Sequence, residues 1–125
     1  MSTDNRDRGA ISEARFIYEA ERKGWEVCQP FSGRRAYDFL VRRAPHLSWQ
    51  TVQVKTAGNN CGKNQKPSLQ VQILRGTQKR RYKDGDFDLL FVASENICWL
   101  IPWVEIRMHT KLSLQGDKYN RWLLK

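Results

Sequence analysis

In Trp49-Gln50-Thr51-Val52-Gln53-Val54-Lys55, apolar and polar residues alternate without a break from Thr51 onward. Successive side chains on a strand point to opposite faces, so Val52 and Val54 take one face and Thr51, Gln53 and Lys55 take the other. A strand is expected from Trp49 to Thr56, with one face in the core and one carrying an amide and an ammonium two residues apart. Standing alone, that polar face suits water as well as it suits chemistry.

Working upstream, Tyr37-Asp38-Phe39-Leu40-Val41 reads as a second strand. Asp38 interrupts its apolar run, shares a face with Leu40, and is of a type poorly suited to strands. Trp25-Glu26-Val27-Cys28 reads as a short strand, ended by Pro30 and the turn at Ser32-Gly33. Before it, a helix is expected from about Ile11 to Lys23. Ser12 suits its N-cap, Arg22-Lys23 suits the negative end of its dipole, and Gly24 is the usual stop. Its exposed face carries Arg15, Glu19 and Arg22. Helical spacing gives a buried face of Ala14, Ile17 and Ala20. Glu13 lies one turn before Ile17 and two before Ala20, so it points with them. A buried carboxylate without a partner costs several kcal/mol, so a cation or a bound metal is needed to hold it there.

Downstream, Ala57 to Pro67 is rich in Gly, Asn and Lys and reads as a mobile loop. Leu69 to Leu74 alternates again, and Arg75 to Asp86 is basic and turn-rich, with room for a short helix. Leu89–Ala93 and Ile97–Ile101 form an expected hairpin around Ser94-Glu95-Asn96. One helix followed by a mainly β run gives an α/β (α+β) class, a mixed sheet flanked by helices.

A chain of 125 residues, 40% of them hydrophobic, fits a single domain with one modest core. No apolar run approaches the roughly 20 residues that span a bilayer. The polar start from Met1 to Arg8 is no secretory signal, so a cytoplasmic protein is expected, in a host's cytoplasm if phage-encoded. Cys28, Cys61 and Cys98 form no C-x-x-C pair, which argues against a zinc or thioredoxin-like site and for reduced, buried thiols. Twenty-two Lys and Arg against 13 Asp and Glu leave a net charge of +9. Such an excess on a small domain favours a polyanion, because each neutralised phosphate releases condensed counterions.

Glu13, Asp38, Gln53 and Lys55 make sense together. Glu13, Asp38 and Gln53 offer the hard oxygen ligands that Mg²⁺ prefers. Lys55 adds positive charge where attack on a phosphodiester builds negative charge. A metal there would lower the pKa of a bound water and screen the phosphorus centre.

A helix carrying Glu13, Asp38 opening a strand, and Gln53-Val54-Lys55 on the next resemble the PD-(D/E)XK nuclease superfamily. Within it the likeness is to the small group I intron homing endonucleases and the archaeal Holliday junction resolvases. Gly9 to Ala14, Gly24 to Val27, Tyr37 to Val41 and Val52 to Thr56 carry it, roughly the first half of the chain. Tyr82 to Asp88 before a hydrophobic strand extends it more loosely. The resemblance implies a restriction-endonuclease-like αβββαβ core over residues 1–125 and Mg²⁺-dependent hydrolysis of double-stranded DNA, with Mn²⁺ able to substitute. It implies that Asp38 is the central metal ligand, that Glu13 completes the metal shell or holds its water, and that Lys55 orients the nucleophile. Tyr37 replaces the motif's proline. Gln53 stands where an acid is usual, removing one negative charge and weakening metal affinity, although some intron-encoded members share the Q-x-K form.

Arg34, Arg35, Lys63, Lys66, Lys79, Arg80 and Arg81 suit phosphate contacts. Gln70 and Gln72 share a strand face and could reach base edges. His46 and His109 are solitary and receive no role. Trp99 and Trp103, with Ile97 and Ile101, suit either a subunit interface or an indole-rich core. The small domain makes a dimer or tetramer on DNA plausible. A sequence-specific homing-type endonuclease is the leading expectation. A structure-selective resolvase and a non-catalytic DNA-binding module on the same fold are its rivals.

Overall fold

A computed structural model of the chain describes residues 5–60 and 68–125, with the side chains of 5, 6, 59 and 60 set aside. Cys61, Lys63 and Lys66, and with them most of the expected mobile loop, lie outside the described residues.

Helix α1 spans Asn5–Arg22. It begins a turn and a half before the expected start because nothing from Asn5 to Ala10 breaks it, and Asp7 suits the positive end of its dipole. Ser12 is therefore no N-cap. It lies buried within the helix, its hydroxyl 2.6 Å from that of Thr56. The C-terminus follows expectation. Gly24, at φ 75°, ends the helix, with Trp25 N donating to Ala20 O at 2.9 Å and Gly24 N to Glu21 O at 3.1 Å. That is the paired closure of a Schellman motif, whose left-handed residue suits glycine.

The buried stripe of α1 is Ser12, Phe16 and Ala20, not Ala14, Ile17 and Ala20. Ala14 is exposed and Ile17 is 38% exposed. The three buried residues share an i, i+4, i+8 row, and Phe16, with the largest apolar area, sets which row faces inward. Its ring lies 5.1 Å from that of Phe39 and 5.2 Å from that of Phe91.

The main sheet has five strands in the order β1-β2-β3-β8-β9. β1 (Glu26–Cys28), β2 (Phe39–Arg42) and β3 (Gln50–Thr56) form an antiparallel meander. β3 then pairs in parallel with β8 (Leu89–Ala93), which pairs antiparallel with β9 (Cys98–Pro102). The expected mixed sheet and hairpin are both present.

Between β3 and β8 the described chain is β-structured, where the resemblance implied a helix. β4 (Gly58–Asn60), β5 (Ser68–Gln72) and β10 (Lys111–Ser113) form a three-stranded antiparallel sheet in the order β10-β5-β4. β6 (Leu74–Arg75) and β7 (Arg80–Arg81) form a small hairpin in the basic segment expected to have room for a helix. Gly76, at φ 73°, and Lys79, at φ 52°, bracket its turn, and two left-handed residues so close together are incompatible with a helix. Short 3₁₀ turns at Trp103–Glu105 and Asn120–Trp122 complete the described structure.

The main sheet is covered unequally. On the α1 side, Phe16, Phe39, Val41, Val52, Val54 and Phe91 pack into one core. On the other side, Leu90, Val92, Trp99, Ile101 and Trp103 join Val71, Ile73 and Leu112 from beneath the small sheet. β8 and β9 are apolar on both faces, as fully covered strands are. Trp99 is 1% exposed, Trp103 7% and Ile101 0%, so these residues build the core of their own chain and not a subunit interface. Only Ile97 of that group is exposed. Cys98 is buried as expected, but Cys28, on the edge strand β1, is exposed. The face of β2 and β3 turned away from α1 is less deeply buried, and Leu40, Arg42, Thr51, Gln53 and Lys55 on it are half-buried.

Candidate active site

Asp38 sits one residue ahead of β2 and extends its ladder. Its N–H donates to Val52 O at 2.8 Å, and its Oδ2 accepts from Val54 N at 2.8 Å. A carboxylate does here what a backbone carbonyl would do in the next rung. The same bonds explain how an aspartate is tolerated at this position, since its oxygen takes up a donor that the end of β2 would leave unpaired. Val54 is the residue between Gln53 and Lys55. The bond therefore fixes the Asp38 carboxylate at the backbone between that pair.

Lys55 is half-buried, and its Nζ donates to Leu74 O at 2.8 Å. It also lies 5.4 Å from the centroid of the Tyr82 ring. Gln53 Nε2 donates to Val54 O at 3.2 Å. Glu13 is half-buried on α1, one position aside from the core stripe, and not among core residues as the expected helix face had implied.

These groups feel one another. Burial raises the Asp38 carboxyl above its usual pKa, opposed by the Val54 N–H and the Lys55 charge. Burial raises Glu13 as well, and the Asp38 charge raises it further. Burial lowers Lys55, and Asp38 counters that. Tyr82 is pushed up to about 12, chiefly by burial, with Asp38 next. Two carboxyls, one raised by the other's charge, together with the amide of Gln53 on β3, are oxygen donors of the kind a hard divalent cation takes. Among the described residues no cluster of three or more His, Cys, Asp or Glu occurs, so such an ion would draw on Glu13, Asp38 and the Gln53 amide.

A groove of about 660 Å³ opens beside Lys55. Arg8, Lys79 and Lys111 line it together with Gln70 and Gln72. Arg80 and Arg81 face a second hollow, of about 540 Å³, with Arg75 and Lys83 on its walls. Arg34 and Arg35 are exposed in the segment leading to β2. Arg8, Lys111, Leu74 O and Tyr82 escaped the sequence reading as site components. Arg8 and Lys111 are single cations on separate elements, and only the folding of β10 beside β5 brings Lys111 to the groove. Asp88 was also missed. It accepts from Thr51 N at 2.9 Å and Thr51 Oγ1 at 3.2 Å, pinning the start of β3 to the start of β8.

A mixed sheet with a lone aspartate locked to the strand that carries a Q-x-K sequence defines a class of nuclease folds. The chain belongs to the PD-(D/E)XK endonucleases, whose family model matches residues 3–120. It is 33% identical over 104 residues to Protein 5.3 of Escherichia phage T7, covering 83% of this chain and 85% of that one. In three dimensions it is similar to the bacterial homing endonuclease I-Ssp6803I, with a TM-score of 0.79 and 18% identity, across 97% of this chain and 89% of that one. The expected superfamily and sheet architecture are thereby borne out. Nucleases of this family generally use divalent metal ions. No helix among the described residues is long and apolar enough to cross a membrane.

Proposed function

We propose that the chain is a Mg²⁺-dependent endonuclease that hydrolyses phosphodiester bonds in double-stranded DNA at specific sequences, in the manner of a homing enzyme. The observation that carries this reading is the bond from Val54 N to Asp38 Oδ2, which locks a carboxylate to the backbone between Gln53 and Lys55. The structural likeness to a homing endonuclease supports the homing type. Action in the cytoplasm of a phage's host is part of the same reading.

Glu13, Asp38 and the Gln53 amide would hold the cation, and Mn²⁺ meets the same ligand preferences as Mg²⁺. When bound, the ion supplies positive charge against the phosphate and acidifies a water. Asp38 needs no reorganisation to serve, because its carboxylate is already fixed by the sheet. Glu13 would hold the attacking water and take up its proton. Lys55, gripped by Leu74 O, presents its ammonium to the phosphate as the water oxygen attacks phosphorus, one P–O ester bond breaks and the leaving oxygen takes a proton. Arg34, Arg35, Lys79, Arg80 and Arg81 contact phosphates and fix the duplex in register. A dimer or tetramer would lengthen the grip on DNA, through surfaces other than the buried Trp99 and Trp103.

The test is incubation with plasmid and genomic DNA and with a four-way junction, in Mg²⁺ or EDTA, beside an Asp38→Asn variant. Discrete Mg²⁺-dependent cuts in linear duplex that the variant fails to make are expected. Preference for the junction would replace the homing reading with a resolvase. Tight binding without cleavage, even in Mn²⁺, would leave only a binding module.

A further inference from the structure

The small sheet has two unlike faces. Leu112 pairs with Val71 in the register of β10 and β5, and both are buried, at 1% and 3% exposure. The neighbouring rungs, Lys111 with Gln72 and Ser113 with Gln70, must therefore point the other way, into the open. Gln70 pairs on its other side with Gly58, which adds no side chain to obstruct that face. Gln70 Nε2 donates to Ser68 Oγ at 2.8 Å, so the amide is already oriented within the face.

Such a face is more than a solvated surface. It forms one wall of the groove in which Lys55 lies, and among the described residues the same groove is lined by Arg8, Lys79 and Lys111 and by no carboxylate. In a chain with 13 Asp and Glu, Arg8, Lys79 and Lys111 on one groove, with Lys55 beside Asp38 at its edge, make the groove complementary to a polyanion. Three strands at roughly 4.8 Å spacing make a ribbon about 10 Å across, narrow enough for a DNA major groove of about 12 Å. Glutamine offers a donor and an acceptor together, as adenine does on its major-groove edge, and lysine suits guanine.

We infer that the open face of β4, β5 and β10 is the sequence-reading surface, with Gln70, Gln72 and Lys111 contacting base edges in the major groove beside the bond that is cut. Arg8 and Lys79 hold the flanking phosphates. The inference rests on the nuclease reading and adds to it the surface that chooses the site. It places specificity on side chains separate from Asp38 and Lys55.

The experiment is selection of bound duplexes from a randomised pool, using Asp38→Asn protein so that binding is read without cleavage. The same selection is run with Q70A/Q72A, with K111A and with K79A added to that background. Cleavage by otherwise wild-type chains carrying the same changes is measured in parallel, and thermal melts confirm folding. The parent should enrich a defined motif. Q70A/Q72A and K111A should each flatten preference about tenfold or more at a few adjacent positions. K79A should weaken binding to all sequences alike, with a shallower salt dependence. Retention of the full motif by Q70A/Q72A and K111A overturns the inference. So does a parent that cleaves but enriches no motif, and in that case the nuclease reading stands. A parent that neither binds nor cleaves removes both.

Discussion

The ammonium of Lys55 lies 5.4 Å from the centre of the Tyr82 ring, on the ring's face, while it donates a hydrogen bond to Leu74 O. Tyr82 is held in turn, its ring edge-on to Phe87 at 4.9 Å, and Phe87 edge-on to Trp103 at 5.1 Å. The aromatic stack thus supports the lysine through its π face and not through its hydroxyl. Tyr82→Phe should leave cleavage near the parent's rate. Tyr82→Leu should lower kcat about two- to thirtyfold with little change in KM, from a cation–π contribution of about 0.5–2 kcal/mol. Equal losses in both variants would assign the effect to the hydroxyl.

Asp38 sets activity against stability. Its carboxyl is raised by burial, so between its usual pKa and the raised one the folded chain binds more protons than the unfolded chain. Stability therefore falls as pH rises through that window, and the deficit persists at neutral pH. The oxygen of an asparagine can still accept from Val54 N. Asp38→Asn should abolish cleavage, raise the melting temperature at neutral pH and flatten its acid-side pH dependence. Melting curves across the acid range, beside a cleavage assay, check the sign.

Metal binding should show in the same melts. A ligand bound by the folded chain alone stabilises it by about 2.7 kcal/mol at one hundred times its dissociation constant. Mg²⁺ should raise the parent's melting temperature, and Asp38→Asn and Glu13→Gln should lose most of that rise. An unchanged response in both variants would place the ion elsewhere.

Gln53→Glu adds a third carboxylate near Asp38 and Glu13, whose charge Asp38 already disfavours. Without metal it should lower the melting temperature. With metal it should reduce the Mg²⁺ concentration needed for half-maximal cleavage, on the order of tenfold for a gain near 1.4 kcal/mol in ion binding. A cleavage titration in Mg²⁺ reads this directly.

The inward row of α1 predicts unequal core variants. Phe16→Ala should cost about 3–5 kcal/mol and Ile17→Ala about 1 kcal/mol or less. Chemical denaturation measures both.

The strand from Gln50 to Thr56 was legible because period-two alternation forces its two faces apart whatever surrounds it, and Gln53 and Lys55 came with it. The β8–β9 hairpin was legible for a related reason, apolar runs separated by Ser94-Glu95-Asn96. The helix face was misread because Ala14, Ile17 and Ala20 obey helical spacing as well as Ser12, Phe16 and Ala20 do. Only the cost of exposing a phenylalanine separates the two rows. Tyr82 and Leu74 could not be attached to Lys55 beforehand, since their meeting depends on how the β6–β7 hairpin folds back, and a backbone carbonyl leaves no mark in a sequence. The two-sided burial of Trp99 and Trp103 likewise depends on a small sheet whose third strand comes from far along the chain.

The parallel pairing of β3 with β8 obliges the chain to travel out and back between them, and the small sheet is built largely from that excursion. The frame that holds Asp38, Gln53 and Lys55 is thus fixed by core residues on one side, while most of the groove wall beside it belongs to a detour whose outward side chains support nothing beneath them. Mutations can accumulate at the outward positions of that detour without disturbing Val71 and Ile73, which face the core. A lineage of such chains could drift from one DNA target to another with its hydrolytic machinery intact, and an engineer could follow the same route by randomising Gln70, Gln72 and Lys111 alone.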